Sequence, residues 1–157
     1  MRINETAAKV VALLRDKRLT LATAESCTGG GVGHAVTAVP GSSSVYLGGV
    51  ISYSNEIKMR VLGVSDEDLN SFGAVSSQTA SAMAEGVQRL IGSDISVSIT
   101  GIAGPASDDT NKPVGLVYVA VRAFDKTVVK ENLFKGDRDE VRQQSILKAL
   151  EMILENL

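Results

Sequence analysis

The order of segments predicts an α/β domain with a mixed β-sheet in one layer, flanked by helices. Three observations carry this reading. Strand-like apolar runs and amphipathic helical stretches alternate through much of the chain. A hairpin then follows, which adds antiparallel pairing to an otherwise parallel sheet. Glycines, 15 in all, sit mostly at the ends of apolar runs, where tight turns need them. At 157 residues the chain reads as one domain over 1–157. A chain this long buries roughly 70 % of its unfolded surface.

Taken in order, residues 4–16 place Ala7, Val10, Val11 and Leu14 on one helical face. Leu19 to Ala24 alternates as a strand, and a glycine-rich turn leads into a helix ending near Val39, where Pro40 and Gly41 stop it. Val45 to Ser54 is the second strand, and Asn55 to Leu62 a short helix. Ser65 caps the SDEDLNS segment, and Ser76 or Ser77 starts a long helix to Ile91 that Gly92 ends. Ile95 to Thr100 has a buried-strand pattern. Leu116–Phe124 and Thr127–Phe134 form the hairpin around Asp125-Lys126, and Asp137 caps a final helix reaching Glu155. Strand order is not legible from these patterns.

Composition narrows the function. The formal charge of −2 argues against broad nucleic-acid binding, which needs a basic patch. A lone cysteine excludes an internal disulfide and fits a reducing compartment. The amphipathic N-terminus does not read as a signal peptide, and no apolar run is long enough to span a membrane. The expectation is a cytoplasmic protein with neither nucleic-acid nor membrane partners. No metal-ligand cluster is visible, and neither metal nor cofactor is expected.

The stretch AESCTGGGVGH, Ala24 to His34, places Ser26 and Cys27 just before three glycines. A strand–turn–helix arrangement exposes Ser26 at the carboxyl end of a strand, facing backbone N–H groups able to hold an oxyanion. The plainer alternative makes Ser26 or Thr28 an N-cap, with Gly29 to Gly31 packing the helix on the sheet. The chain's single histidine, His34, lies about 12 Å along the helix from Ser26. That is far beyond hydrogen-bond reach, so neither a Ser–His nor a Cys–His arrangement is expected. Cys27 reads as buried packing, with thiolate chemistry at a helix start as the lesser option. Lysine, tyrosine or a carboxylate remains as the base. GGVISYSNEIK offers Tyr53 and Lys58 just after a strand, although the same residues suit a solvated turn. Glu25 either orients a lysine or caps a helix.

TGIAGP follows a strand and carries Gly101 and Gly104, a weak signal for an anion cradle. The polar loop 106–113 could close over it as a lid. Arg138 and Arg142 share one face of a helix start, opposed to its dipole, and so either bind an anion or form a salt-bridged surface.

Together LATAESCTGG, PGSSSVYLGGVISYSNEIK, GVSDEDLNSFGAVS, SITGIAGP, KPVGLVYVAV and FKGDRDEVRQQS resemble the CinA C-terminal domain family, with its stand-alone nicotinamide-nucleotide amidohydrolases. The resemblance covers nearly the whole chain. It implies hydrolysis of nicotinamide mononucleotide to nicotinate mononucleotide and ammonia, in pyridine-nucleotide salvage. It further implies a serine nucleophile, a lysine partner and a nearby tyrosine, which fall on Ser26, Lys58 and Tyr53. Oxyanion and substrate contacts are assigned to Cys27, Thr28, Gly29, Gly30, Thr100, Gly101, Ala103, Gly104, Arg138 and Arg142. A homo-oligomer is compatible with the family. One departure is the loop after GIAGP, which reads ASDDTNKP where the family is often richer in glycine. The rival readings are a non-catalytic nucleotide-binding or partner-binding module using the same pocket, an amidase or esterase with another substrate, and a structural protein.

Overall fold

Five strands form one sheet in the order β2-β1-β3-β4-β5, with helices on both faces, in a computed structural model that describes residues 2–108 and 110–157. The elements are α1 (Arg2–Lys17), β1 (Leu21–Glu25), α2 (Gly31–Thr37), β2 (Tyr46–Ile51), α3 (Asn55–Leu62) and α4 (Asp66–Phe72). They continue with α5 (Ser77–Ile91), β3 (Ile95–Gly101), β4 (Leu116–Ala123), β5 (Lys126–Leu133) and α6 (Arg138–Glu155). β1 lies parallel to both β2 and β3, whereas β3–β4 and β4–β5 pair antiparallel. The predicted mixed sheet is therefore present.

Alternation along β3 creates two unlike faces. Ile95, Val97 and Ile99 join the larger core beneath α1, α2 and α6, with Leu14, Val36 and Ile153. Ser96, Ser98 and Thr100 point the other way and donate to the carbonyls of Ala84 (2.6 Å), Ala80 (2.6 Å) and Ala74 (2.7 Å). Small hydroxyl residues on the strand and alanines on α5 allow close approach, and each buried hydroxyl is satisfied. A smaller core of Ala22, Ala24, Leu62, Met83 and Val87 fills that side.

Helix ends follow the expected chemistry. Ser54, Ser65 and Ser76 cap α3, α4 and α5, each accepting a backbone N–H through its hydroxyl. Asp137 and Glu140 form a reciprocal capping box at α6. The helix after the glycine-rich turn begins at Gly31 and is shorter than expected, ending at Thr37 rather than near Val39. Gly29 (φ 58°) and Gly30 (φ 100°) adopt left-handed backbone, which continues the turn instead of starting a helix. The second strand is also shorter than expected, Tyr46–Ile51, and releases residues 52–54 to a loop.

Because β1, β2 and β3 run parallel, their carboxyl ends gather along one edge of the sheet. Ser26 follows β1, Ser52 and Tyr53 follow β2, and Thr100 and Gly101 close β3. In open α/β sheets this edge is where ligands bind.

Candidate active site

A cavity of about 290 Å³ lies at this edge, with Ser26, Cys27, Tyr53, Lys58, Thr100 and Arg138 in its lining. Its floor is set by the turn after β1. Ser26 N–H donates to Ile99 O (3.0 Å), and Ser26 O accepts from Gly29 N–H (3.0 Å). The Ser26 side is thus tied both to β3 and to its own turn.

Lys58 enters from α3. Its side chain is 1 % exposed, and Nζ lies 3.0 Å from Ser26 Oγ, 2.8 Å from Ser52 O and 3.4 Å from Tyr53 O. No carboxylate pairs with it among the described residues. Burial pulls its pKa down from 10.5 to about 8, and the adjoining Cys27 opposes this more weakly. A buried lysine whose charge is unpaired favours its neutral form. Burial has the opposite effect on the Cys27 thiol, pushing it up to about 11 against the pull of a backbone N–H and Arg142. Cys27 therefore remains a thiol at neutral pH and lines the cavity as an apolar group.

Glu25 caps a helix rather than orienting the lysine. Its buried carboxylate accepts from Thr28 Oγ1 (2.7 Å), Val32 N–H (2.8 Å) and Gly33 N–H (2.9 Å). The first-turn donors of α2 are thereby committed. Gly29 N–H is also committed, to Ser26 O. The N–H groups of Cys27 and Thr28 bond to no other described residue; Cys27 lines this cavity, whereas Thr28, expected at the site, borders a second hollow behind the turn.

Tyr53 is split between two tasks. Its carbonyl faces Lys58, while its hydroxyl, on a side chain 62 % exposed, accepts from Arg138 Nη2 (3.1 Å). Arg138 also donates to Gly104 O (2.6 Å), so this guanidinium spans the cavity rim from α6 to the turn after β3. Thr100 spends its hydroxyl on Ala74 O, and Gly101 admits no side chain because a Cβ there would lie 2.6 Å from Val117 Cγ2. Ala103 and Gly104 continue this wall.

The two arginines expected on one anion-binding face part company. Arg142 does not line this cavity; it donates to Cys27 O (3.1 Å) and Thr28 O (3.3 Å) from the far side of the turn. There, with Gly29, Gly30 and the exposed His34, it borders a second hollow of about 580 Å³. His34 is remote from Ser26, as helix geometry requires. Ala106 to Asp108 reach the first cavity, and Lys112 ties the same loop to Phe72 O and Val75 O (2.6 Å each). Asp109, within the expected lid, lies outside the described residues.

Sequence reasoning did not find Ser52, whose carbonyl makes the shortest bond to Lys58, or Asn55 and Val75 in the cavity lining. A backbone acceptor leaves no mark on residue type. For Ser52, the signal available was only its place immediately after the end of a strand. No group of three His, Cys, Asp or Glu side chains fit to hold a metal ion occurs among the described residues.

Fold and site together define a layered α/β domain carrying a buried serine–lysine pair at the carboxyl edge of its sheet. The chain belongs to the CinA C-terminal domain family, which matches residues 3–157. It is 48 % identical over 146 residues to a competence-damage inducible protein of Moorella thermoacetica, covering 93 % of this chain and 35 % of that protein. A CinA-like protein of Kosmotoga olearia is 49 % identical over 144 residues, covering 92 % and 35 %. This chain thus spans about 35 % of the length of these curated relatives. Among solved structures, competence/damage inducible protein CihA of Agrobacterium tumefaciens superposes with TM-score 0.96 at 39 % identity, covering 99 % of this chain and 95 % of that one. A CinA superfamily protein of Escherichia coli gives 0.97 at 31 %, covering 99 % and 90 %. Among the described residues no helix is long and apolar enough to cross a membrane.

Proposed function

We propose that this domain hydrolyses the carboxamide of nicotinamide mononucleotide, giving nicotinate mononucleotide and ammonia through a serine–lysine mechanism. One observation carries the proposal: Lys58 Nζ is buried and sits 3.0 Å from Ser26 Oγ, without a carboxylate partner among the described residues. In the neutral amine, two N–H bonds satisfy the carbonyls of Ser52 and Tyr53. The lone pair is then directed at the Ser26 hydroxyl.

Ser26 Oγ attacks the carboxamide carbon as its proton passes to Lys58 Nζ. The oxyanion is held by the N–H of Cys27, which lines the cavity and has no other described partner. Collapse expels the amino group, which takes the proton from Lys58 and leaves as ammonia. Water attacks the resulting ester, Lys58 accepts its proton, and the proton returns to Ser26 as the acid departs. Tyr53 holds Lys58 through its carbonyl, and its hydroxyl meets the leaving side of the substrate beside Arg138. The substrate phosphate is assigned to Arg138 and the Thr100–Gly101 turn. Arg142 is withdrawn from that assignment because it lies behind Ser26 and outside the cavity.

Ammonia release from nicotinamide mononucleotide tests this reading. Ser26→Ala and Lys58→Met should each lower kcat by at least about a thousandfold. Near-normal kcat in either variant would remove the role given to that residue. Calorimetric binding of the mononucleotide with no ammonia release by the unaltered protein would favour the non-catalytic module instead.

A further inference from the structure

We infer that Ser52 is a positioning residue for Lys58, its hydroxyl turning onto Nζ whenever that nitrogen is an ammonium. The role belongs to the serine–lysine mechanism above and rests on that reading.

Two serines face the lysine from neighbouring strands. β1 and β2 pair Ala24 with Val50, and both pack in the smaller core with Leu62 of α3. Ladder bonds run one residue beyond each strand: Ser26 N–H donates to Ile99 O (3.0 Å) and Ser52 N–H to Glu25 O (2.9 Å). Side chains alternate along a strand, so Ser26 and Ser52, two residues on, take the face of Ala24 and Val50 toward α3. Lys58 enters from that helix and bonds both residues, Ser26 through Oγ at 3.0 Å and Ser52 through its carbonyl at 2.8 Å. The Ser52 hydroxyl is left over. Ser52 is 0 % exposed and does not line the cavity, and its Oγ is the single buried side-chain polar atom without a partner among the described residues. Leaving a buried hydroxyl unpaired costs stability, a cost that Ser96 and Ser98 avoid by donating to carbonyls of α5.

The reaction gives this hydroxyl a partner. Neutral Lys58 directs its two N–H bonds at Ser52 O and Tyr53 O. As Ser26 Oγ bonds to the carboxamide carbon, its proton moves to the Nζ lone pair, and the amine becomes an ammonium with three N–H groups. The new one must stay free for the departing amino group. The other two need firm acceptors, yet one carbonyl lies at 2.8 Å and the other, on the exposed Tyr53, at 3.4 Å. Rotation about the Ser52 Cα–Cβ bond, between staggered wells, brings a second oxygen of the same residue to the charge. Hydrogen bonds to a charged donor are about twice as strong as neutral ones. No charged side chain competes for Nζ. Cys27 stands on the serine turn as a thiol, and Tyr53, Asp108 and Arg138 border the cavity. Glu25 is committed to α2, Glu56 and Arg60 of α3 pair with each other in solvent, and α5 meets α3 through Met83 and Val87.

The test needs no substrate. Removing an acceptor of the ammonium disfavours the charged form, so folded Lys58 should shed its proton at lower pH. The rise of the urea midpoint with pH should then begin at least about half a unit lower in Ser52→Ala than in the unaltered protein. Ser52→Cys, a poor acceptor of similar shape, should follow it, and Ser52→Thr, which keeps a hydroxyl, should not. In a Lys58→Met background Ser52→Ala should cause no pH-dependent change. With nicotinamide mononucleotide, the inflection of kcat should move down by the same amount and its plateau fall about tenfold, while KM stays within about twofold. Thermal melts identify any variant that fails to fold; if Ser52→Ala does, Ser52→Cys carries the comparison. An unmoved onset in folded Ser52→Ala and Ser52→Cys would overturn the inference, as would a shift that persists without Lys58. A raised KM with an unmoved inflection would do so too, making Ser52 a substrate contact. Should the mononucleotide prove inert while the midpoint onset still moves, the substrate reading falls and the role of Ser52 stands.

Discussion

Lys58 is the residue whose burial is hardest to justify by folding alone, since an ammonium loses its hydration there and finds no carboxylate among the described residues in exchange. That cost predicts a signature in stability. Folded, Lys58 holds its proton with a pKa of about 8, against 10.5 when unfolded. Between those values the unfolded chain binds more protons, so stability rises with pH across the window and the penalty is fully present below about 8. Lys58→Met should accordingly be more stable at pH 7, by up to about 3 kcal/mol. Its urea midpoint should lack the rise that the unaltered protein shows between pH 8 and 10.5. Parallel midpoint curves would contradict an unpaired buried amine. The pairing with Ser26 was legible only by elimination: the distance to His34 removed imidazole, and the resemblance placed the lysine. The sequence does not reveal that Ser52 and Tyr53 supply carbonyls, because every residue has one.

At the scale of elements, the site depends on how closely α3 and α5 approach. Gly86 lies in α5 where an added Cβ would fall 1.9 Å from Leu62 O, a backbone atom that cannot step aside. Leu62 ends the same short helix that carries Lys58. Gly86→Ala should therefore force the helices apart, cost about 3 kcal/mol and lower ammonia release with it. Chemical denaturation and an activity assay on the same sample check this, and a variant of unaltered stability would contradict the packing. Helix ends were the most legible features, since Ser65, Ser76, Gly92 and Asp137 act where capping chemistry places them. The helix after β1 was misjudged in length. The two glycines before it take left-handed backbone, Glu25 caps its start at Gly31, and it ends two residues short of Val39.

For the whole molecule, the sheet brings together segments that are distant in sequence. Three parallel strands deliver Ser26, Tyr53 and Thr100 to one edge, and α6 returns with one arginine in front of the serine turn and another behind it. Arg138 and Arg142 share a helix face, yet a four-residue step along α6 is enough to reach opposite sides of a single turn. Periodicity could place them on that face but could not place the turn between them. The α/β class was readable from segment order, whereas strand order required knowing which strands bury both faces. The account rests on an amine that sheds its proton near pH 8 and stands next to a hydroxyl. The most direct measurement is kcat for ammonia release from nicotinamide mononucleotide as a function of pH. It should climb with an apparent pKa near 8 and level off above it, as Lys58 loses its proton. A profile flat from pH 6 to 10, or no ammonia at any pH, would contradict the account.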